Sequence, residues 1–547
     1  MLTPFRTALL SASAAAALCG CASLSGLVDE TTSAAALPAS PAAQGDGTQD
    51  WVGYAPDALP STDWVASFND PILSRLVDEA IVENPNLLRA AAQFSAALNR
   101  ARISRGALYP ALDASFSAAR NEGGTGFFAG SSNYDIGVNA SWQADLFGRL
   151  RDARDADIRA AQASAADLAG LRVATASQLA QSWFDAIEAN LLVALSDDDI
   201  ATQERILRLT QARFESGLTG ASDVRLARSA LASSRALAQT RLQNRDAVLR
   251  GLQTLLRDYP DARLDLPADL PELPTLAGAG GPAFVLSHRP DIIAEEFRIA
   301  QAGLNVDVAR KALYPSLSFS GTIADQAQTD RSTNEVPLAP GEDPGSRSTG
   351  IFGNFTDIFD LSSLAYRVAT QLTAPIFRGG QLRAQVDAQR DQLAAQLESY
   401  VGTVLDAYLE VENALDAERR LAAREDALRV ALEESDAAER RLRLRYTEGL
   451  ATILQLLDAQ NRSLNSEGQL IAARSERLAN RVRLHAALGG GALGTLPGMP
   501  DITEERVLPI PFLGGGDPEQ ISQRQPSESA SALSLASALP LASAKVE

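Results

Sequence analysis

Two stretches of this chain, residues 148–215 and 380–447, run 68 residues each without a proline, and Gly170 and Gly402 are their only interior helix breakers. Alanine, leucine, arginine and glutamate fill them, the residues that cost least in a helix. At 1.5 Å of rise per residue each helix is about 100 Å long. The first is preceded by a different pattern. From Tyr134 to Leu146 the even positions (Tyr134, Ile136, Val138, Ala140, Trp142, Ala144, Leu146) are apolar or small, and the odd ones include Asp135, Asn139, Ser141, Gln143 and Asp145. That is period two, a strand with one apolar and one polar face. A two-faced strand that runs straight into a 100 Å helix argues against a soluble enzyme.

The arrangement occurs twice. Residues 84–110 and 289–315 both end in ALYP, with 205 residues between corresponding positions. Farther on, DLFGRLRDA (145–153) answers PIFRGGQLRA (375–384), Phe147 and Phe377 being 230 apart, and RFESGL (213–218) answers RYTEGL (445–450), 232 apart. The chain is read as two copies of one unit, with about twenty-five extra residues in the second copy within 327–362. Each copy holds a helix stopped at ALYP by its proline. Two alternating strands follow, expected at 111–119 and 134–146, then at 316–326 and 364–376. Next come the long helix, a short turn (GLTGAS or GLAT) and an antiparallel return. In the second return Leu457, Leu464, Ile471 and Leu478 recur every seven residues, the repeat of a left-handed coiled coil.

Each strand has roughly the ten residues that cross a bilayer when tilted. A soluble sandwich edge is the competing reading, but four strands are too few for a core. Four spanning strands have open edges and cannot persist alone in lipid. Two copies would make a barrel of about eight strands filled by side chains, whereas three would make a twelve-stranded one with a wet lumen. The polar faces suit the wet lumen, so the expectation is a homotrimeric tunnel that passes from membrane to periplasm.

Both cysteines lie near the start, in MLTPFRTALLSASAAAALCGC. Residues 1–20 read as a secretory signal peptide, too short for a spanning helix. LCGC resembles the bacterial lipoprotein box, with Cys21 as the lipidated first mature residue; ordinary secretion with cleavage nearby is the alternative. Residues 21–61 read as a flexible tether. The net charge of −19 argues against a nucleic-acid partner.

With these residues in hand, the chain resembles the outer-membrane efflux proteins of TolC and OprM type, and within them the NodT-like lipoprotein branch that works with RND pumps. The resemblance spans roughly 62–488. It rests on WVASFNDPILSRLVDEAIVENPNLLRAA, both ALYP boundaries, DLFGRLRDA, PIFRGGQLRA, RFESGL and RYTEGLATILQLLDAQ. It implies a mixed α and β membrane protein: a homotrimeric 12-stranded transmembrane β-barrel continuous with a long periplasmic α-helical barrel, built from repeats at 62–280 and 281–488. It also implies a periplasmic adaptor protein and an inner-membrane RND-type pump as partners, and a lipid-anchored position in the outer membrane. The chain departs from the family at an insertion over 327–350 and at a low-complexity tail, 489–547, expected to be disordered.

The two reversals are expected to be the periplasmic tips that face the adaptor, through Arg213, Gly217, Arg445, Tyr446 and Gly449; the glycines sit where a helix end favours a left-handed residue. Carried over from the family position by position, Leu454 and Asp458 form the pore constriction on one helix face, with Gln455 beside them at a site that is acidic in some members. No cofactor or catalytic group is expected. His288 precedes Arg-Pro-Asp, and His485 continues the sevenfold stripe; neither has a second histidine or cysteine in motif spacing. Three function classes remain: exit duct of a tripartite efflux pump, exit duct for type I protein secretion, or a structural envelope stalk without transport. The lipid signal and the branch motifs favour the first.

Overall fold

The computed structural model describes Trp51 and residues 63–122, 130–276, 278–330 and 365–495. Asp70 opens helix α1 (Pro71–Glu83): its Oδ1 accepts from the backbone N–H of Ile72 and Leu73 at 2.9 and 3.0 Å. Its other oxygen accepts from Trp183 Nε1 at 2.7 Å, so one carboxylate both caps the helix and pins it to the long one. Asn84 repeats the device for α2 (Pro85–Gly106), capping Asn86 and donating to Leu255 O at 2.9 Å.

Strands β1 (Ala111–Glu122) and β2 (Gly130–Ala144) lead into α3 (Arg149–Glu215) and its return α4 (Ala221–Leu255). After the short α5 (Pro282–His288), the second half gives α6 (Pro290–Lys311), β3 (Ser316–Asp330), β4 (Ala365–Thr373), α7 (Gln381–Thr447) and α8 (Ile453–Ala487). Corresponding helices have equal lengths: 22 residues for α2 and α6, 67 for α3 and α7, 35 for α4 and α8. Both long helices begin directly after a left-handed glycine, Gly148 (φ +79°) or Gly380 (φ +81°), which reorients the chain without the Cβ clash another residue would suffer.

The four strands form one antiparallel sheet in the order β1-β2-β3-β4. The register places the apolar positions together: Phe116 opposite Ile136, Val138 opposite Ile323, Ile323 opposite Tyr366, and Leu317 opposite Leu372. Trp142 stacks on Phe319 with centroids 5.5 Å apart. On the other face Asn139 Nδ2 donates to Ser115 Oγ (3.0 Å) and Thr322 Oγ1 donates to Asn139 Oδ1 (3.1 Å), a polar ladder across three strands. Among the described residues no helix is long and apolar enough to cross a membrane.

Below the sheet α3 touches α2, α4, α6 and α8, and α6 and α8 lie between α3 and α7. The largest core joins Trp64, Phe68, Leu73 and Leu76 to Leu179, Trp183, Phe184 and Ile187 of α3, with Leu252 of α4 and Val482 of α8. A leucine-rich segment after α4 straps this core to the next: Leu264, Leu266, Leu270 and Leu273 pack on it, and Leu276 and Ala279 pack on the second, built on Val404, Val411 and Leu415 of α7. The boundary at 280/281 is therefore one of sequence only, since both repeats lie within a single compact unit.

Two expectations are corrected. The tail was placed from residue 489, yet Gly489–Thr495 is ordered: Gly490 lies against Val173, where an added Cβ would come within 2.5 Å, and Leu493 packs on the first core. Consecutive glycines, which look like a linker in sequence, are here what allows the backbone to approach α3. The first residues of the 327–350 insertion extend β3, which continues to Asp330 opposite Ser131; positions 331–350 lie outside the described residues. The tether was expected to be flexible to residue 61, yet Trp51 donates to Gly280 O at 2.6 Å and meets Tyr408 edge-on. Cys21 and the signal peptide lie outside the described residues.

Candidate functional site: the helical tips and the wall

Both long helices end in the same hydrogen-bonded pattern. Leu218 N–H donates to Arg213 O (2.8 Å) and Gly217 N–H to Phe214 O (2.9 Å); Leu450 and Gly449 repeat this with Arg445 O (2.7 Å) and Tyr446 O (3.1 Å). Gly217 (φ +72°) and Gly449 (φ +81°) occupy the left-handed position that closes such a helix end.

The expected tip residues separate into two groups. Gly217, Arg445 and Gly449 are exposed, beside the exposed apolar side chains of Phe214, Leu218 and Leu450. Tyr446 is not on that surface: it is 3% exposed and packs with Ile206, Ile453, Leu456 and Leu457. Its phenol lies 2.9 Å from Thr210 Oγ1 on α3. Arg213 is half-buried above the same ring, 5.0 Å from its centroid, and donates to Tyr446 O at 2.6 Å. The two helical hairpins are thus fastened to each other at their ends. RYTEGL carries no sign of this, because the partner lies more than 230 residues away in sequence.

At the start of α8 the three expected constriction residues do different things. Leu454 is 65% exposed and turned away from the buried Ile453, Leu456 and Leu457. Asp458, one turn on, is also exposed and accepts from Arg462 Nε at 3.0 Å. Gln455 is exposed beside them and also closes the helix start: its Oε1 accepts from Thr452 N–H (3.0 Å) and its own N–H donates to Thr452 Oγ1 (3.3 Å), a capping box.

Higher up, ion pairs join the second hairpin. Arg477 of α8 reaches Glu418 (3.0 Å) and Glu425 (2.9 Å) of α7, and Arg481, 2% exposed, reaches Glu418 at 2.9 Å. Arg289, in the Arg-Pro-Asp that opens α6, chelates Asp291 and donates to Glu410 (2.6 Å) and Ala487 O (3.0 Å). It therefore clasps α6, α7 and the end of α8, a role sequence reading did not assign. His485 is 3% exposed and stacks on Trp64 (5.8 Å, 16°); burial, with Arg481 nearby, pushes its pKa down to about 4. His288 stacks on Phe284 at the surface.

The family described as "Outer membrane efflux protein" matches residues 76–256 and 283–490. The sequence is 28% identical over 466 residues to outer membrane protein OprJ of Pseudomonas aeruginosa, covering 83% of this chain and 91% of that one. It is 30% identical over 446 residues to the antibiotic efflux pump outer membrane protein ArpC of Pseudomonas putida, covering 78% and 85%. Among solved structures, the outer-membrane channel OprN superposes with a TM-score of 0.69 at 26% identity, covering 82% of this chain and 96% of that one. The open state of the Neisseria gonorrhoeae MtrE outer membrane channel gives 0.68 at 27% identity, covering 80% and 95%.

Proposed function

The chain belongs to the outer membrane efflux protein family and is an outer-membrane efflux channel rather than an enzyme, and from that premise we propose a trimeric exit duct. Among the described residues of one copy, β1 pairs only with β2 and β4 only with β3. Two bare edges cannot stay unpaired in hydrocarbon. Joining β4 of one copy to β1 of the next closes twelve strands around a wet lumen. The Ser115–Asn139–Thr322 ladder would then line the water, and Phe116, Val138, Ile323 and Tyr366 would face lipid. The observation that carries the reading is the direct passage from this sheet through Gly148 and Gly380 into paired 67-residue helices.

Conduction is passive, and a periplasmic adaptor would dock on the exposed tip residues Gly217, Arg445 and Gly449, delivering solutes from an RND-type inner-membrane pump. Leu454 and Asp458 would narrow the inner end. Relatives named for toluene, antibiotic and pyoverdine export suit a duct whose cargo is set by its pump. Lipid on Cys21 would add an anchor; Cys21→Ser should abolish acyl labelling. The deciding experiment is single-channel recording of the purified protein in planar bilayers with its mass by light scattering. A non-conducting protein would leave the stalk reading, and a conducting dimer would overturn the trimer.

A further inference from the structure

The seam where α3 of the first hairpin meets α8 of the second changes character along its length. Near the tip it is apolar, with Ile206, Ile453, Leu456 and Leu457 packed around Tyr446. About one turn farther from the tip it turns polar: Asp199 and Gln203 of α3 and Gln460 of α8 are 7%, 3% and 6% exposed. Asp199, Gln203, Ile206 and Thr210 follow one another at intervals of four, three and four residues. They therefore share one face of α3, the face that packs on α8.

Burial leaves this polar group short of partners. Both amides donate to Oδ1 of Asp199, Gln460 at 3.2 Å and Gln203 at 3.4 Å, which is long for an N–H···O bond. The carbonyl oxygens of the same two amides are buried and accept nothing. Arg241 of α4 feels the charge of Asp199, but its Nη1 is bonded to Leu192 O (2.9 Å) and Ser196 Oγ (2.8 Å). Among the described residues Asp199 has no ion pair. A buried carboxylate without a bonded counter-charge and two buried carbonyls without donors are costly together, and one positive ion answers all three.

The donor set defines that ion. Carboxylate and amide carbonyl oxygens suit hard cations and not soft ones. A half-turn of each amide exchanges its nitrogen for its oxygen, so both carbonyls can close with Asp199 around one centre, with water completing the shell. Only one of the three ligands is charged and Arg241 adds positive potential, which matches a single positive charge better than two. About two turns on along α8 the field is negative: burial first, then Asp436 and Asp198, hold the Glu467 carboxyl above its ordinary range.

We propose that Asp199, Gln203 and Gln460 form a binding site for a small monovalent cation of sodium's class, held in the seam between the two helical hairpins. Because the ligands come from both α3 and α8, the ion fastens one hairpin to the other. It does so about two to three turns from the Thr210–Tyr446 bond, where no side-chain ion pair does the same work. The site does not rest on the duct reading above.

The test is urea unfolding of the purified full-length protein, followed by circular dichroism, in sodium chloride and in N-methylglucamine chloride. The organic cation is too large for the seam, and equal ionic strength removes general screening from the comparison. The midpoint should be higher in sodium and should rise with sodium concentration toward a plateau. Asp199→Asn should abolish that difference, and Gln460→Leu, which removes a neutral ligand, should weaken the apparent sodium affinity by about tenfold or more. Equal midpoints of the parent protein in the two salts would mean that water alone satisfies the amides, and the site is lost. A sodium effect that survives undiminished in Gln460→Leu overturns it equally, whether or not Asp199→Asn folds. Conduction enters neither readout, so a failed site leaves the duct standing and a non-conducting protein leaves the site.

Discussion

The phenol of Tyr446 lies 2.9 Å from the hydroxyl of Thr210, so the end of the second long helix is bonded to the first across 236 positions of sequence. Arg213 covers the same ring and holds Tyr446 O. If the ends must separate for the duct to open, these bonds belong to the closed state. Tyr446→Phe should remove about 1 kcal/mol of it, roughly a fivefold shift toward open, and Arg213→Ala a similar amount. Open probability in planar bilayers should rise in both. Combined with Thr210→Val, Tyr446→Phe should add little, because the two changes break one bond.

The tip glycines should respond alike. A Cβ at Gly217 meets nothing within 4 Å, and one at Gly449 reaches only ordinary contact, 3.4 Å, with the far end of the Arg213 side chain. Alanine therefore costs each about 1–2 kcal/mol for its left-handed backbone, read as similar falls in the urea midpoint for Gly217→Ala and Gly449→Ala; a much larger fall in one would show that more than backbone strain acts there.

Arg462 sits one turn from Asp458 and offsets its charge. Arg462→Ala should raise the cation preference of the channel by roughly two- to threefold, read as a reversal potential across a KCl gradient. Asp458→Asn should reverse the gain.

Ala262 stands at φ +62°, held there because Gln253 accepts from its N–H at 2.9 Å and donates to Asp261 at 2.7 Å and Arg263 O at 3.3 Å. Alanine in that region costs about 1 kcal/mol or more. Ala262→Gly should therefore shift the urea midpoint upward, and Gln253→Leu, which frees the loop, should lower it.

His485 gives the fold an acid limit. Its folded pKa of about 4 lies below the unfolded value near 6.5, so the unfolded chain takes up the proton first as pH falls. The stabilisation is complete above about pH 6.5 and is lost progressively down to about pH 4, about 3 kcal/mol at most. Asp185, Glu188 and Glu467, whose folded pKa values are raised, pull the other way. The comparison is therefore between parent and His485→Phe: the variant should lose less stability between pH 6.5 and 4, with unfolding followed by circular dichroism.

What the sequence disclosed were features written locally. Absence of proline set the long helices to within a residue at each end, period two found the strands, and a glycine after each long helix marked its reversal. What it hid depends on partners far along the chain. Tyr446 reads as a surface aromatic until Thr210 is placed beside it, and Arg289 as part of a helix start until Glu410 and Ala487 arrive. Gln455 shows a local signal left unread: Thr452 and Gln455 have the spacing of a capping box, and the side chain makes one.

The sheet register also dictates an order of events in folding. β1 and β2 are neighbours in sequence and can meet early, but Ala144 pairs with Leu317, so β2 and β3 are separated by an entire helical hairpin and the strap. Closing so long an intervening segment is entropically expensive unless it is already compact, and pairings between distant parts of a chain form slowly. The α3–α4 hairpin must therefore collapse first and carry its two flanking strands into proximity. The order leaves the helical part of the molecule to mature before the apolar positions of the sheet are brought together.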